Sequence, residues 1–248
     1  MKWVDQPLVT RTVYAHWALA AAGLGDLIWG HASIRHPTGE GVVMKASGWG
    51  FEEVDDTRIV MVGWDGARLD GTGTVHMESA IHTSVMKARP DVMCVVHTHA
   101  PAVSAFAALE VPLRPISHDA VPFAQQLPRF ELTGDLIRTP ELGEALADTL
   151  GDAPAAIMLN HGLVTAGPDP AAAVMYAMLL ERACQTQLVA MGAGTLRSWS
   201  GSEEVQAKLA SAWSSDQFNR GFDYLTRKGA AIHRLSCKSP ATGSCSDH

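Results

Sequence analysis

Asp91-Val-Met-Cys-Val-Val-His97-Thr-His99 is an apolar run that ends in His-x-His. Strand side chains alternate between faces, so His97 and His99 leave the end of a buried strand in the same direction. A second apolar run, Ala155 to Leu159, ends in Asn160-His161-Gly162. Two strand ends in one sheet bring three imidazoles together and leave a coordination position open, which is the ligand set of a catalytic metal site. Upstream, Glu78 in His76-Met77-Glu78 sits on an expected helix and supplies a carboxylate to the same place.

Working outward, the spacing predicts a helix from about Val75 to Ala88, capped by Thr74, with Met77, Ile81, Val85 and Ala88 as its apolar stripe. Pro90 closes it. Thr10 to Ala22 reads as a helix stopped by Gly23 and Gly25. Ser33-Ile-Arg, Gly41-Val-Val-Met-Lys and Ile59-Val-Met-Val read as strands. Ala100 to Leu109, Gly143 to Leu150 and Pro170 to Met191 read as helices, and Ala155 to Ala166 as two strands around a turn. Ser200 and Glu203 have capping-box spacing for a last helix over roughly Glu203 to Arg227. Alternating strands and helices indicate α/β architecture. Residues 1–235 read as one domain and 236–248 as a flexible polar tail.

The chain has 248 residues, 47% of them hydrophobic, which suffices for a substantial core and excludes disorder throughout. A net charge of −7 argues against a general nucleic-acid binder. No apolar run is long enough to span a membrane and no signal peptide is evident, which suggests the cytoplasm. The four cysteines form no disulfide framework. Cys94 and Cys184 read as reduced core residues. Cys237 and Cys245 lie in the tail, where they could pair but are by default loose.

The order Glu78, His97-Thr98-His99, Asn160-His161-Gly162 resembles the class II aldolase/adducin family. Gly30-His31-Ala32-Ser33-Ile34-Arg35, Lys45-Ala46-Ser47-Gly48 and Ala88-Arg89-Pro90-Asp91-Val92 add to the likeness, which runs from about Val13 to about Gly194. The resemblance implies a three-layer fold with a central, mainly antiparallel sheet flanked by helices. It implies one divalent metal ion per subunit, and a homotetramer with active sites between subunits. The histidines do not choose among zinc, manganese, iron and cobalt. The resemblance also makes Glu78 an acid or base once substrate displaces it from the metal. His82 is either a supporting or a structural residue, and an ion pair between Glu78 and His82 is the ordinary reading of that spacing.

Relative to the sugar-phosphate aldolases that it resembles, the chain has His76 and Met77 where two phosphate-binding serines precede the glutamate. It has His31 where they have asparagine. Methionine donates no hydrogen bond to phosphate. His31, Ser33, Arg35, Lys45, Ser47 and the Gly48 turn are the candidate substrate contacts, suited to a carboxylate. Arg35 reads equally as a structural ion-pair residue, and Lys45 as simply exposed. This pattern is similar to the decarboxylase branch of the family. The expected function is therefore a metal-dependent, non-oxidative decarboxylase of a hydroxylated aromatic or heteroaromatic (di)carboxylic acid, with Glu78 or His76 as the acid. The alternatives are an aldolase of a hydroxy-carbonyl compound and a non-catalytic adducin-like module. His118 and Asp119 are minor candidates for proton transfer. The expected partner is a small carboxylate, with neither nucleic acid nor membrane.

Overall fold

Eight strands form one sheet in a computed structural model that describes residues 6–237. They are β1 (His31–Arg35), β2 (Gly41–Lys45), β3 (Ile59–Gly63), β4 (Arg68–Asp70), β5 (Cys94–Thr98), β6 (Arg129–Phe130), β7 (Ala155–Met158) and β8 (Gly162–Gly167). Their order is β4-β3-β2-β1-β5-β8-β7-β6, and every neighbouring pair is antiparallel except β6 with β7. The expected mainly antiparallel α/β sheet is what the chain forms.

The helices are α1 (Leu8–Ala21), α2 (Ser79–Ala88), α3 (Pro101–Ala107), α4 (Pro140–Leu150), α5 (Pro170–Ala193), α6 (Ser202–Ala212) and α7 (Ser215–Cys237). Strand alternation divides the core between the two faces of the sheet. Ala32, Ile34, Cys94, Val96 and Leu163 join the apolar layer with α1, α3, α5 and α7. Val42, Met44, Val95, Val164 and Ala166 join the layer with α2 and α4. By the same alternation, His31, Ser33 and His97 face the α2 side. His31 pairs directly across from His97 in the β1–β5 register.

Side-chain caps fix the starts of α4 and α5. Thr139 accepts from Leu142 N ahead of α4, and Asp169 accepts from Ala172 N ahead of α5, each followed by proline at the first helical position. Four expected boundaries are corrected. α2 begins at Ser79, not Val75: residues 74–76 are irregular and 77–78 form a turn, with His76 and Glu78 buried; Thr74 gives its carbonyl to Ser47 N, and Met77 is exposed and outside the stripe. The last helix is two. Ser214 accepts from Gln217 N and restarts the chain as α7. The capping box at Ser200 does not form: Gly201 precedes α6, and Ser200 Oγ instead accepts from Lys208 Nζ at 2.8 Å. Finally, Ser236 and Cys237 belong to α7, so the tail cannot start at Ser236; Cys245 and residues 238–248 lie outside the described residues. Cys94 and Cys184 are buried free thiols, as expected. Burial raises both, Cys184 to about 12, which makes them inert.

One glycine permits the sheet to close where the site sits. A Cβ on Gly162 would lie 2.4 Å from the Thr98 carbonyl and 3.2 Å from the His99 ring. β5 and β8 therefore approach as closely as they do only with glycine there. Gly162→Ala is expected to lower stability by about 1–3 kcal/mol, the usual cost of forcing extra volume into a packed region. Urea titration checks this, and an unchanged midpoint would show that the strands part without cost.

Candidate metal centre

The end of β5 and the turn between β7 and β8 deliver three imidazoles to one point. His97 Nε2 lies 3.2 Å from His99 Nε2. The ring centroids of His99 and His161 are 5.0 Å apart, as are those of His97 and His161. Asn160 makes the turn possible by adopting φ +54°, a left-handed conformation that asparagine tolerates better than most residues. Glu78 arrives from the start of α2. Its Oε2 is 3.7 Å from His97 Nε2, and its Oε1 is 3.5 Å from His161 Nε2. One ligand atom from each of Glu78, His97, His99 and His161 lies within 4.8 Å of the others.

The donor chemistry fits a divalent ion. His97 Nδ1 is 2.8 Å from the Leu163 carbonyl and donates to it, which leaves Nε2 bare toward the centre. His99 Nδ1 is held by the Asp26 carboxylate, so its Nε2 also faces inward. Neither nitrogen of His161 has a hydrogen bond of normal length. Imidazoles oriented from behind by a carbonyl and a carboxylate are the usual support of metal-binding histidines. Burial, only partly opposed by Glu78, brings His97 down to about 3, so the ring is neutral and can give its lone pair to a cation.

Burial opposes the ionisation of Glu78. The contact with His161, the neighbouring His97 and a hydrogen bond from Ile137 N at 2.8 Å outweigh it, and Glu78 falls to about 2. It is therefore a carboxylate in this state. The Glu78–His82 ion pair that helical spacing alone would offer does not form. His82 turns instead toward β1, with Nε2 2.6 Å from His31 Nδ1 and Nδ1 2.7 Å from Ser33 Oγ.

Asp26 is a site residue that the sequence did not reveal. It lies in the loop between α1 and β1, far in sequence from His99. Asp26→Asn is expected to weaken metal binding about 10–100-fold, because the ring loses its anionic orienting partner. Competition with a chelator of known affinity measures it, and unchanged affinity would make the contact incidental.

The other candidates divide. His31 and His76 are at the centre: both are buried, with ring centroids 4.0 Å apart, and His31 Nε2 is 4.0 Å from Glu78 Oε2. The His76 ring faces the Ile28 carbonyl, yet neither of its nitrogens makes a regular hydrogen bond. Burial and nearby Lys45 lower His76 to about 4. Ser33 lies behind His31. Arg35 is at the far end of β1, donating to the carbonyls of Met86, Arg89 and Val92 at the end of α2. It is a structural cap and does not approach the histidine cluster.

Lys45 is fully buried rather than exposed. Its ammonium donates to the carbonyls of Ile28 and Trp49, which braces the loop that carries Asp26. Burial lowers it to about 8, with Asp26, Glu53 and Glu52 opposing. Ser47 N donates to the Thr74 carbonyl, next to the stretch that carries His76 inward, and Gly48 turns the chain with φ +94°. Asp119 pairs with Arg182 at 2.9 Å, and the His118 carbonyl accepts from Trp213 Nε1. Both contacts are structural.

Residues 10–188 match the family described as Class II Aldolase and Adducin N-terminal domain, and the chain belongs to it. It is 32% identical over 162 residues to the 4-hydroxy-3-prenylphenylpyruvate oxygenase/4-hydroxy-3-prenylbenzoate synthase of Streptomyces roseochromogenus subsp. oscitans, which covers 64% of this chain but 56% of that protein. It is 30% identical over 194 residues to the 3,4-dihydroxyphthalate decarboxylase of Arthrobacter keyseri, covering 71% of this chain and 75% of that one. The L-fuculose 1-phosphate aldolase from Glaciozyma antarctica PI12 shares the fold, with a TM-score of 0.79, 24% identity and coverage of 92% and 89%. Among the described residues, no helix is long and apolar enough to cross a membrane.

Proposed function

We propose that the protein is a metal-dependent, non-oxidative decarboxylase of a hydroxylated aromatic or heteroaromatic (di)carboxylic acid. Glu78 carries the reading. It is a buried carboxylate that touches the three-histidine cluster and faces the unpartnered His31 Nε2. The likeness to a dihydroxyphthalate decarboxylase supports it.

His97, His99 and His161 would hold zinc, manganese, iron or cobalt, with Glu78 available as a further ligand. Such an ion supplies a Lewis acid for negative charge that develops on the ring oxygen. The remaining work falls to side chains. On substrate binding Glu78 leaves His161 and the Ile137 amide. Burial then dominates and makes it a stronger base. It takes the proton of a ring hydroxyl ortho to the departing carboxylate and returns it to the ring carbon that bears that carboxylate. The carbon–carbon bond breaks, its electron pair passes through the ring to the oxygen, and carbon dioxide leaves. A carbon–hydrogen bond has replaced a carbon–carbon bond. His31 and His76 orient the carboxylate, and burial keeps bulk water from the ring carbon.

A cytoplasmic homotetramer with sites at subunit boundaries completes the proposal. Leu27, Ile28, Trp29 and Met77 support it, since these apolar side chains are exposed next to Asp26, Lys45 and His76. The test of the reaction is a paired assay at matched concentrations. Carbon dioxide is measured from hydroxy-phthalates and aldehyde from sugar phosphates. Carbon dioxide without aldehyde is expected. Cleavage of a sugar phosphate, with no decarboxylation, would replace this reading with the aldolase. Failure of the folded protein to bind any of the four metals would favour the non-catalytic module.

A further inference from the structure

Behind the metal-binding histidines, β1 and α2 hold a second series of polar groups. Ser33 Oγ is 2.7 Å from His82 Nδ1, and His82 Nε2 is 2.6 Å from His31 Nδ1. His31 Nε2 ends the series, 4.0 Å from Glu78 Oε2 and without a hydrogen bond. All three side chains are fully buried.

The hydrogens can be assigned by counting. A bond between two ring nitrogens needs one N–H and one bare nitrogen, so His31 and His82 are not both imidazolium. With both rings neutral, two arrangements satisfy that bond. In the first, His31 Nδ1–H donates to His82, and His82 Nδ1–H donates to Ser33. The Ser33 hydroxyl hydrogen then has no acceptor, and the bare His31 Nε2 faces a carboxylate. In the second, Ser33 donates to His82 Nδ1, His82 Nε2–H donates to His31 Nδ1, and His31 Nε2–H faces Glu78. The first strands a buried hydroxyl hydrogen and sets a lone pair against a negative charge. The second does neither.

We infer that Ser33 and His82 are positioning residues that fix His31 as an Nε2–H donor aimed into the site, where it takes an anionic substrate oxygen, a carboxylate above all. The identity of that oxygen rests on the decarboxylase reading; the direction of the hydrogens does not. Ser33 therefore acts through two rings instead of touching substrate. A neutral donor held in place from behind recognises an acceptor and leaves a group without one poorly bound.

The test uses the zinc-loaded full chain with 15N-labelled histidine. Long-range 1H–15N correlation spectra distinguish a protonated from a bare ring nitrogen, with His31→Gln and His82→Gln assigning the signals. Both rings are expected to carry hydrogen on Nε2 and none on Nδ1. Hydrogen on Nδ1 of either ring overturns the inference. A second arm follows binding of phthalate, which has no ring hydroxyl, with zinc content checked throughout. His82→Leu is expected to weaken phthalate about tenfold, the scale of one charge-assisted hydrogen bond. In His82→Gln the side-chain amide still reaches His31 Nδ1 and should restore most of that loss. Equal weakening in both variants, or none in either, overturns the positioning role. If His82→Leu does not fold, or phthalate does not bind, the ring hydrogens of the unaltered protein still decide. Absence of decarboxylation would leave those hydrogens in place, and hydrogens on Nδ1 would leave the reaction class standing.

Discussion

Glu78→Gln is expected to lose about 10²–10⁴-fold in turnover at saturating metal while it stays folded. The amide has nearly the shape of the carboxylate, and its oxygen can still accept from Ile137 N, 2.8 Å away in the native protein. What it cannot do is take a proton from a ring hydroxyl and return it to a ring carbon. Metal should remain bound through the three imidazoles, although affinity falls somewhat because one anionic neighbour is gone. Single-turnover kinetics with metal analysis on the same sample separate the two effects. Near-normal turnover would move the acid–base role elsewhere, to His76 first.

The second large effect concerns the imidazoles. His97→Ala, His99→Ala and His161→Ala are each expected to lose most bound metal and remain folded. The three donors converge on one point, so removal of one leaves an ion with two imidazoles and a carboxylate. The consequence for folding should be smaller. His161 sits in a turn, and His99 follows the end of β5, so neither anchors a strand interior. His97 is buried, so its variant carries the larger risk of a cavity. Metal content and circular dichroism of the purified variants decide. Full occupancy in one of them would remove that residue from the ligand set.

Much of this candidate site could be read in the sequence because its three imidazoles end two apolar runs, and strand alternation converts that spacing into direction. His97 and His99 needed nothing further. His161 needed only that the second run join the same sheet, as β8 does beside β5. Asp26 was not readable. A loop aspartate acquires meaning only when α1 and β1 carry it to His99. His82 reads from sequence as either a supporting or a structural residue; helical spacing alone does not show that it turns to β1 and stands behind His31. Arg35 shares a strand with His31, but four residues of strand at about 3.3 Å each carry it away from the site, into reach of three carbonyls near the end of α2. β4 has no apolar pattern because all three of its residues are exposed at the sheet edge, and β6 is two residues long in a proline-rich stretch. The break before α7 did leave a signal, since Ser214 and Gln217 have capping-box spacing of their own.

The most direct measurement is mass spectrometry of the product formed in D2O by the metal-loaded protein from each of a panel of hydroxy-phthalates, with dissolved oxygen followed in the same vessel. One carbon dioxide released per product, one deuterium at the vacated ring carbon and no oxygen consumed is the expected result. Oxygen consumption in step with product would instead indicate the oxygenase chemistry named for the Streptomyces relative. It would contradict the proposal that Glu78 protonates a ring carbon as carbon dioxide departs.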